Sequence, residues 1–176
     1  QLAFIDGGSD DAFTPASRRQ SRWFFDTQPA MMHPASTHLL GQLSNLRLDA
    51  MGADFVGGLA LGAVPLPAIA VATPPTTSPR LGFMVRKEAK GRGGRKTNNP
   101  PGIEGSSLGN GGDIVIVEDV TTTGGSAIKA VERIQNDTAC KVVAVISIVD
   151  REEGAKEAFA AANIHFESIM TRTDVA

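Results

Sequence analysis

The stretch Glu118-Asp119-Val120-Thr121-Thr122-Thr123-Gly124-Gly125-Ser126 gathers two kinds of chemistry in one short segment. Its adjacent carboxylates follow the apolar run Ile114-Val115-Ile116-Val117, which places them at the end of a strand rather than inside its core. Threonines, glycines and a serine come next, immediately before a segment of helical period. Small residues let backbone N–H groups converge on one anion, hydroxyls add donors, and a helix N-terminus adds a favourable dipole. Such a loop is a cradle for phosphate. The acids repel phosphate but suit sugar hydroxyls, for which carboxylates are acceptors, or a magnesium ion bridging a ligand. Together the two halves read as a site for a ribose phosphate. The lysine of a P-loop and the GxGxxG spacing of a dinucleotide site are both missing. The plain alternative, a solvated strand–helix turn with an N-cap threonine, needs only one such residue.

Three other places carry chemistry. Between Arg86 and Lys96 stand six cations against one glutamate, on a glycine-rich stretch. A solvated basic face would explain such a run. Beside an anion site, it could instead neutralise the charge that develops on a phosphate leaving group and exclude water. Val149-Asp150-Arg151-Glu152-Glu153-Gly154 ends a second apolar run and offers an arginine fork, which pairs with a carboxylate in bidentate fashion. A charge cluster at a helix start would favour the acids alone. The single cysteine, Cys140, has no Cys-His pattern around it and precedes an apolar run, so it reads as a buried packing residue. It fits a reducing cytoplasm.

These residues need a scaffold, and the sequence supplies one. Asp113–Val117 is a continuous β-branched run, the mark of a strand buried on both faces, and Val142–Val149 reads as a second buried strand. Each is followed by a loop and a helical period, the first at Ala127, Ile128, Ala130, Val131 and Ile134, the second over Glu152–Ala162. Strand–loop–helix repeated in this way implies a parallel sheet with right-handed crossovers and ligands at the carboxyl ends of the strands. Upstream, Leu39, Leu40, Leu43 and Leu46 recur at helical spacing and predict a helix over 34–48. Asp54–Gly58 and Leu81–Val85 read as short strands. The apolar stretch Val56–Ala72 is broken by Gly57, Gly58, Gly62, Pro65 and Pro67, so it suits a turn into a buried helix and not a membrane span. From Arg86 to Gly112 no apolar period survives, and the segment is expected to be structureless, either functional or disordered.

With 176 residues, 41% hydrophobic and 20% charged, the chain has room for one globular domain spanning 1–176. The net charge of -2 excludes a nucleic-acid coat or a membrane-surface protein as the reading of overall charge. The first residue is not methionine and no signal pattern follows, so the natural start is expected upstream.

Val115 to Ser126 resembles the phosphoribosyl pyrophosphate signature of the type I phosphoribosyltransferases. That resemblance implies an α/β fold, a central mostly parallel sheet flanked by helices, with a small N-terminal hood over about 1–34. It also implies that Glu118 and Asp119 hold the ribose hydroxyls while Val120, Thr121, Thr122, Thr123, Gly124, Gly125 and Ser126 hold the 5′-phosphate. Gly82–Gly93 is similar to the catalytic loop of the orotate phosphoribosyltransferases. Carried over, Arg86, Lys87, Lys90 and Arg92 contact pyrophosphate, Lys87, Lys90 and Arg92 act in catalysis, and segment 86–105 is a mobile loop reaching into a partner subunit's site. Arg92 stands where that family has histidine, and the loop is several residues longer. Arginine keeps the cation but cannot exchange a proton near neutral pH. Ser21–Asp26 is similar to the aromatic segment beside orotate, so Phe24 and Phe25 are candidates to lie over the base; packing in a small core is the competing reading. Gly57–Pro65 resembles the pyrophosphate loop, with Gly62 where some members have lysine. Arg151 and Thr122 match the positions that recognise orotate.

The resemblance thus implies transfer of a phosphoribosyl group from phosphoribosyl pyrophosphate to orotate in a cytoplasmic homodimer. Magnesium would be held mainly through the substrate, with no direct protein ligand, and neither nucleic acid nor membrane would be a partner. Two other readings stay open at this point. One is a transferase for another base, which would have no use for Arg151. The other is a regulator that binds phosphoribosyl pyrophosphate without turnover, which would not need the cations of 86–96.

Overall fold

The computed structural model describes residues 4–9, 12–13, 23–74, 78–87 and 97–175. In chain order the elements are β1 (Phe4–Asp6), β2 (Trp23–Phe25), α1 (Gln28–Met31), α2 (Pro34–Ala50), β3 (Phe55–Leu59), α3 (Pro65–Ala72) and β4 (Leu81–Val85). Then follow β5 (Ile103–Gly105), β6 (Asp113–Thr121), α4 (Gly125–Asp137), β7 (Lys141–Asp150), α5 (Ala155–Ala161), β8 (Phe166–Thr171) and α6 (Arg172–Val175). Strands β5-β4-β3-β6-β7-β8 form one sheet, parallel throughout except for the antiparallel β4–β5 pair. A separate antiparallel hairpin, β1–β2, stands at the N-terminal end.

Alternation along the central strands divides the core between the two faces of the sheet. Ile114 and Ile116 of β6 pack with Ala127, Val131 and Ile134 of α4 and Phe159 of α5. Val115 and Val117 pack on the other face with Leu48 of α2 and Leu66 and Ile69 of α3. A strand covered on both sides has no polar face, which is why the centres of β6 and β7 read as mostly apolar, Val- and Ile-rich runs. Burying Ile114, Val115 and Ile116 completely contributes roughly 1.5–3 kcal/mol apiece.

One expectation needs correction. The segment 86–112 is not without regular structure: Ile103–Gly105 pairs with Phe83–Val85 as an edge strand, and Ile103 and Leu108 are buried. Asn99 helps fix this return, donating to the Ser106 carbonyl at 2.9 Å and accepting from Leu108 N at 2.9 Å. Helix α2 forms over Pro34–Ala50, as the leucine spacing predicts. Its leucines set the helical period, but Leu39, Leu43 and Leu46 face outward, at 58%, 46% and 55% exposure. The inward face is Gly41, Asn45 and Leu48. Asn45 is usable there because its amide donates to the carbonyls of Ala70 and Thr73, and its oxygen accepts from buried Arg80. Arg80 also pairs with Asp49, so the polar groups on this face satisfy one another.

Candidate active site

Parallel β3, β4, β6, β7 and β8 all end on one edge of the sheet, and the chemistry-bearing segments gather there. Glu118 lies in β6 with 8% exposure, and the Thr121 hydroxyl donates to its Oε2 at 2.7 Å. Burial pushes the Glu118 carboxyl up to about 7. The Thr121 hydrogen bond opposes that rise, the neighbouring Asp119 charge adds to it, and the Lys87 charge opposes it. Lys87, far away in sequence, is therefore an electrostatic neighbour of the acid pair. Asp119 leans the other way, toward the turn after β3: a Cβ on Gly62 would lie 2.2 Å from its Oδ2. Acid pair, post-β3 turn and post-β4 cations thus converge.

The candidate phosphate loop is built from backbone. Gly124 caps α4 with φ +75 and no side-chain hydrogen bond, and the first turn carries no acid. The first-turn N–H groups therefore lack an internal cap, and the helix dipole favours an anion there. Only glycine suits position 124, because a Cβ would sit 2.8 Å from the Phe159 ring as well as strain the backbone. The cap is this glycine and not a threonine. Thr121 is spent on Glu118, whereas Thr122, Thr123 and Ser126 are at least partly open to solvent.

At the end of β7, Arg151 N donates to the Thr121 carbonyl at 2.9 Å, which fixes the arginine beside the phosphate loop. Its side chain is buried, and Nη2 meets Glu153 Oε1 at 2.7 Å. Glu153 was not among the expected site residues. Asp150, also buried, accepts from Glu152 N at 2.9 Å and shapes the turn that carries this pair.

Arg86 and Lys87 leave β4 toward the same edge. They line a cavity of about 300 Å³ with Ser126, Lys129 and Arg133 of α4. Lys129 and Arg133 were missed by sequence reasoning, although their i, i+4 spacing just after the phosphate loop is a readable signal. A larger cavity, about 740 Å³ and lined by Glu132, Lys141 and His165, lies near the start of β7, away from the acid pair and the phosphate loop. Lys90 and Arg92 lie outside the described residues. Phe24 and Phe25 belong to β2; the Phe24 ring packs on Phe13 at 5.6 Å, and Phe25 packs on Phe4 at 5.2 Å and against the α2–α3 core. Among the described residues no group of three or more His, Cys, Asp and Glu side chains could hold a metal, and no helix is long and apolar enough to cross a membrane.

Comparison with known proteins follows the same lines. The phosphoribosyl transferase domain family matches residues 34–170. The chain is 46% identical over 165 residues to the orotate phosphoribosyltransferase of Rhodopseudomonas palustris strain TIE-1, covering 92% of this chain and 85% of that one. Identity to the Bradyrhizobium diazoefficiens orotate phosphoribosyltransferase is 44%, with the same coverage. Among solved structures, the Mycobacterium tuberculosis orotate phosphoribosyltransferase in complex with Fe(III) dicitrate superposes with a TM-score of 0.79 at 32% identity, over 98% of this chain and 91% of the other. The same enzyme with 5-phospho-alpha-D-ribosyl 1-diphosphate gives 0.72 at 32% identity, over 86% and 82%.

Proposed function

The chain belongs to the orotate phosphoribosyltransferases of the phosphoribosyl transferase domain family, and from that premise we propose how its own residues divide the work. The reaction is transfer of the 5-phosphoribosyl group from phosphoribosyl pyrophosphate to orotate, giving orotidine 5′-phosphate and pyrophosphate. The carbon–oxygen bond to pyrophosphate breaks, a bond from the ring nitrogen of orotate forms, and that nitrogen gives up its proton. Positive charge gathers on the ribose and negative charge on the leaving group, so catalysis is mainly positioning and electrostatics.

Glu118 and Asp119 accept hydrogen bonds from the ribose hydroxyls. The segment Val120–Ser126 and the uncapped start of α4 bind the 5′-phosphate. Lys87 bridges the two halves of the reaction, because it is close enough to Glu118 to alter its charge and stands at the end of β4 where the pyrophosphate departs. Arg86 joins it there, and Lys90 and Arg92 are assigned to the same leaving group on sequence grounds. Thr122 and Arg151 face orotate, and its carboxylate replaces Glu153 as the partner of the Arg151 fork, exchanging one anion for another in a buried place. Phe24 and Phe25, on the hood hairpin, cover the base. Magnesium suits an edge whose acids offer only oxygen donors. It would be held mainly through the substrate, with Glu118 and Asp119 as the nearest carboxylates. Bound there, it would offset the negative charge of the departing pyrophosphate.

The protein is also read as a cytoplasmic homodimer, the segment 86–105 of one subunit serving the other's site. The support is the outward leucine face of α2, since three exposed leucines on one helix face are a surface that a second copy would cover. The observation that carries the functional reading is the convergence of Glu118, Lys87 and the uncapped α4 at one sheet edge. The test is a spectrophotometric assay of orotate consumption with phosphoribosyl pyrophosphate and magnesium. Steady turnover is expected; pyrophosphate-ligand binding without orotate consumption would overturn it.

A further inference from the structure

We propose that Arg133 of α4 is a positioning residue for the transfer, clamping the two stems of the segment that leaves β4 and returns as β5. The inference rests on the transferase reading above, and it starts from three contacts. Arg133 Nη1 donates to the carbonyl of Arg86 at 3.4 Å. The same guanidinium lies flat against Gly102, where a Cβ would meet Nη2 at 2.6 Å and Nη1 at 2.8 Å. Arg86 N in turn donates to the carbonyl of Gly102 at 2.9 Å, so Arg133 touches both stems, just after β4 and just before β5. Asp137, one turn on along α4, holds Nε at 3.8 Å and limits where the guanidinium can swing.

The consequence reaches the chemistry through Arg86 and Lys87. Both leave β4 at the clamped stem, and both line the cavity that Ser126, Lys129 and Arg133 line from α4. The Arg86 side chain is further tethered by Glu104 of β5 at 3.3 Å, on the returning stem. Because α4 begins at the phosphate loop, Arg133 ties the distance between that loop and the two cations to a rigid helix. A shift of about 1 Å in a positioning group can cost on the order of a hundredfold in rate. Sequence motifs point only to the cations themselves; the group that holds their stem comes from another element.

The test is a double-mutant cycle on the full chain with Arg133→Met, Gly102→Ala and both together. Gly102→Ala pushes the guanidinium aside from the opposite direction and also strains a backbone at φ +82, so only the part of its loss that passes through Arg133 is shared with Arg133→Met. Each single variant is expected to lower kcat by about tenfold while the orotate KM stays within about twofold. In the double variant the alanine should cost less than it does alone, because the contact it would push aside is already gone. Arg133→Lys, which keeps a donor for the Arg86 carbonyl but loses the flat face over Gly102, should fall between. Calorimetric affinity for magnesium pyrophosphate, which needs no base, should weaken by a similar factor in Arg133→Met. An unchanged kcat and pyrophosphate affinity in that variant, or independent multiplication of the two losses, would overturn the clamp. Absence of orotate turnover in the unaltered chain would instead overturn the parent reading, and the pyrophosphate arm would still decide the clamp.

Discussion

Replacing Glu118 by glutamine isolates the effect of burying an acid at this site. In the folded protein burial raises the carboxyl from 4.5 to about 7. Each pKa unit corresponds to about 1.36 kcal/mol, so a fully developed charge at Glu118 destabilises the ligand-free fold by about 3 kcal/mol. Between pH 4.5 and about 7 the folded protein keeps a proton that the unfolded chain has released, so stability falls as pH rises across that window. Glutamine keeps the shape and an acceptor for the Thr121 hydroxyl but never charges. Glu118→Gln should therefore match the parent near pH 4.5 and exceed it progressively, by up to about 3 kcal/mol at pH 8. Urea denaturation of both proteins at several pH values measures the difference directly. The same variant should lose affinity for phosphoribosyl pyrophosphate, and in the parent that affinity should weaken below pH 7 as Glu118 takes up its proton. A stability difference that stayed flat with pH, or ran the other way, would refute the assignment of a buried, proton-holding Glu118.

Arg151→Ala should raise the orotate KM about tenfold or more while leaving the phosphoribosyl pyrophosphate KM within about twofold; steady-state kinetics with an unmoved orotate KM would remove the arginine from base recognition. Arg80→Met leaves Asp49 buried without its guanidinium, and the structure predicts a loss of about 3–5 kcal/mol in urea unfolding. A loss below about 1 kcal/mol would mean that the Asn45–Asp49–Arg80 network does not hold α2 in place. Leu43→Glu with Leu46→Glu, on the outward face of α2, should convert a dimer to monomers in sedimentation velocity without loss of helix content. An unaltered sedimentation coefficient would place the subunit contact elsewhere.

What could be read from the sequence followed from how local each signal was. Strands β6 and β7 were legible because burial on both faces favours near-continuous apolar runs rich in Val and Ile. The candidate phosphate loop stood out because small and hydroxylic residues fill one continuous stretch before α4. Strand β5 was not: one buried isoleucine followed by Glu104 and Gly105 makes no period, and only pairing with β4 defines it. The period of α2 placed the helix correctly, but period alone cannot tell which face turns inward when Asn45 and Gly41 do the packing. The nearness of Lys87 to Glu118, of Gly62 to Asp119 and of Arg133 to Gly102 arises from strand order and helix placement, which no short motif encodes.

Phe159 lies beneath the glycine that shapes the phosphate loop, completely buried and stacked on Phe166 at 4.5 Å. Surface binding loops commonly loosen before the domains that carry them. Here the bend at Gly124 rests on a core aromatic, so releasing it would mean disturbing the packing of α4 and α5 as well. Heating should therefore remove phosphate affinity and native structure in a single step, and thermal inactivation would mark the end of the whole domain's cooperativity rather than the fraying of one segment.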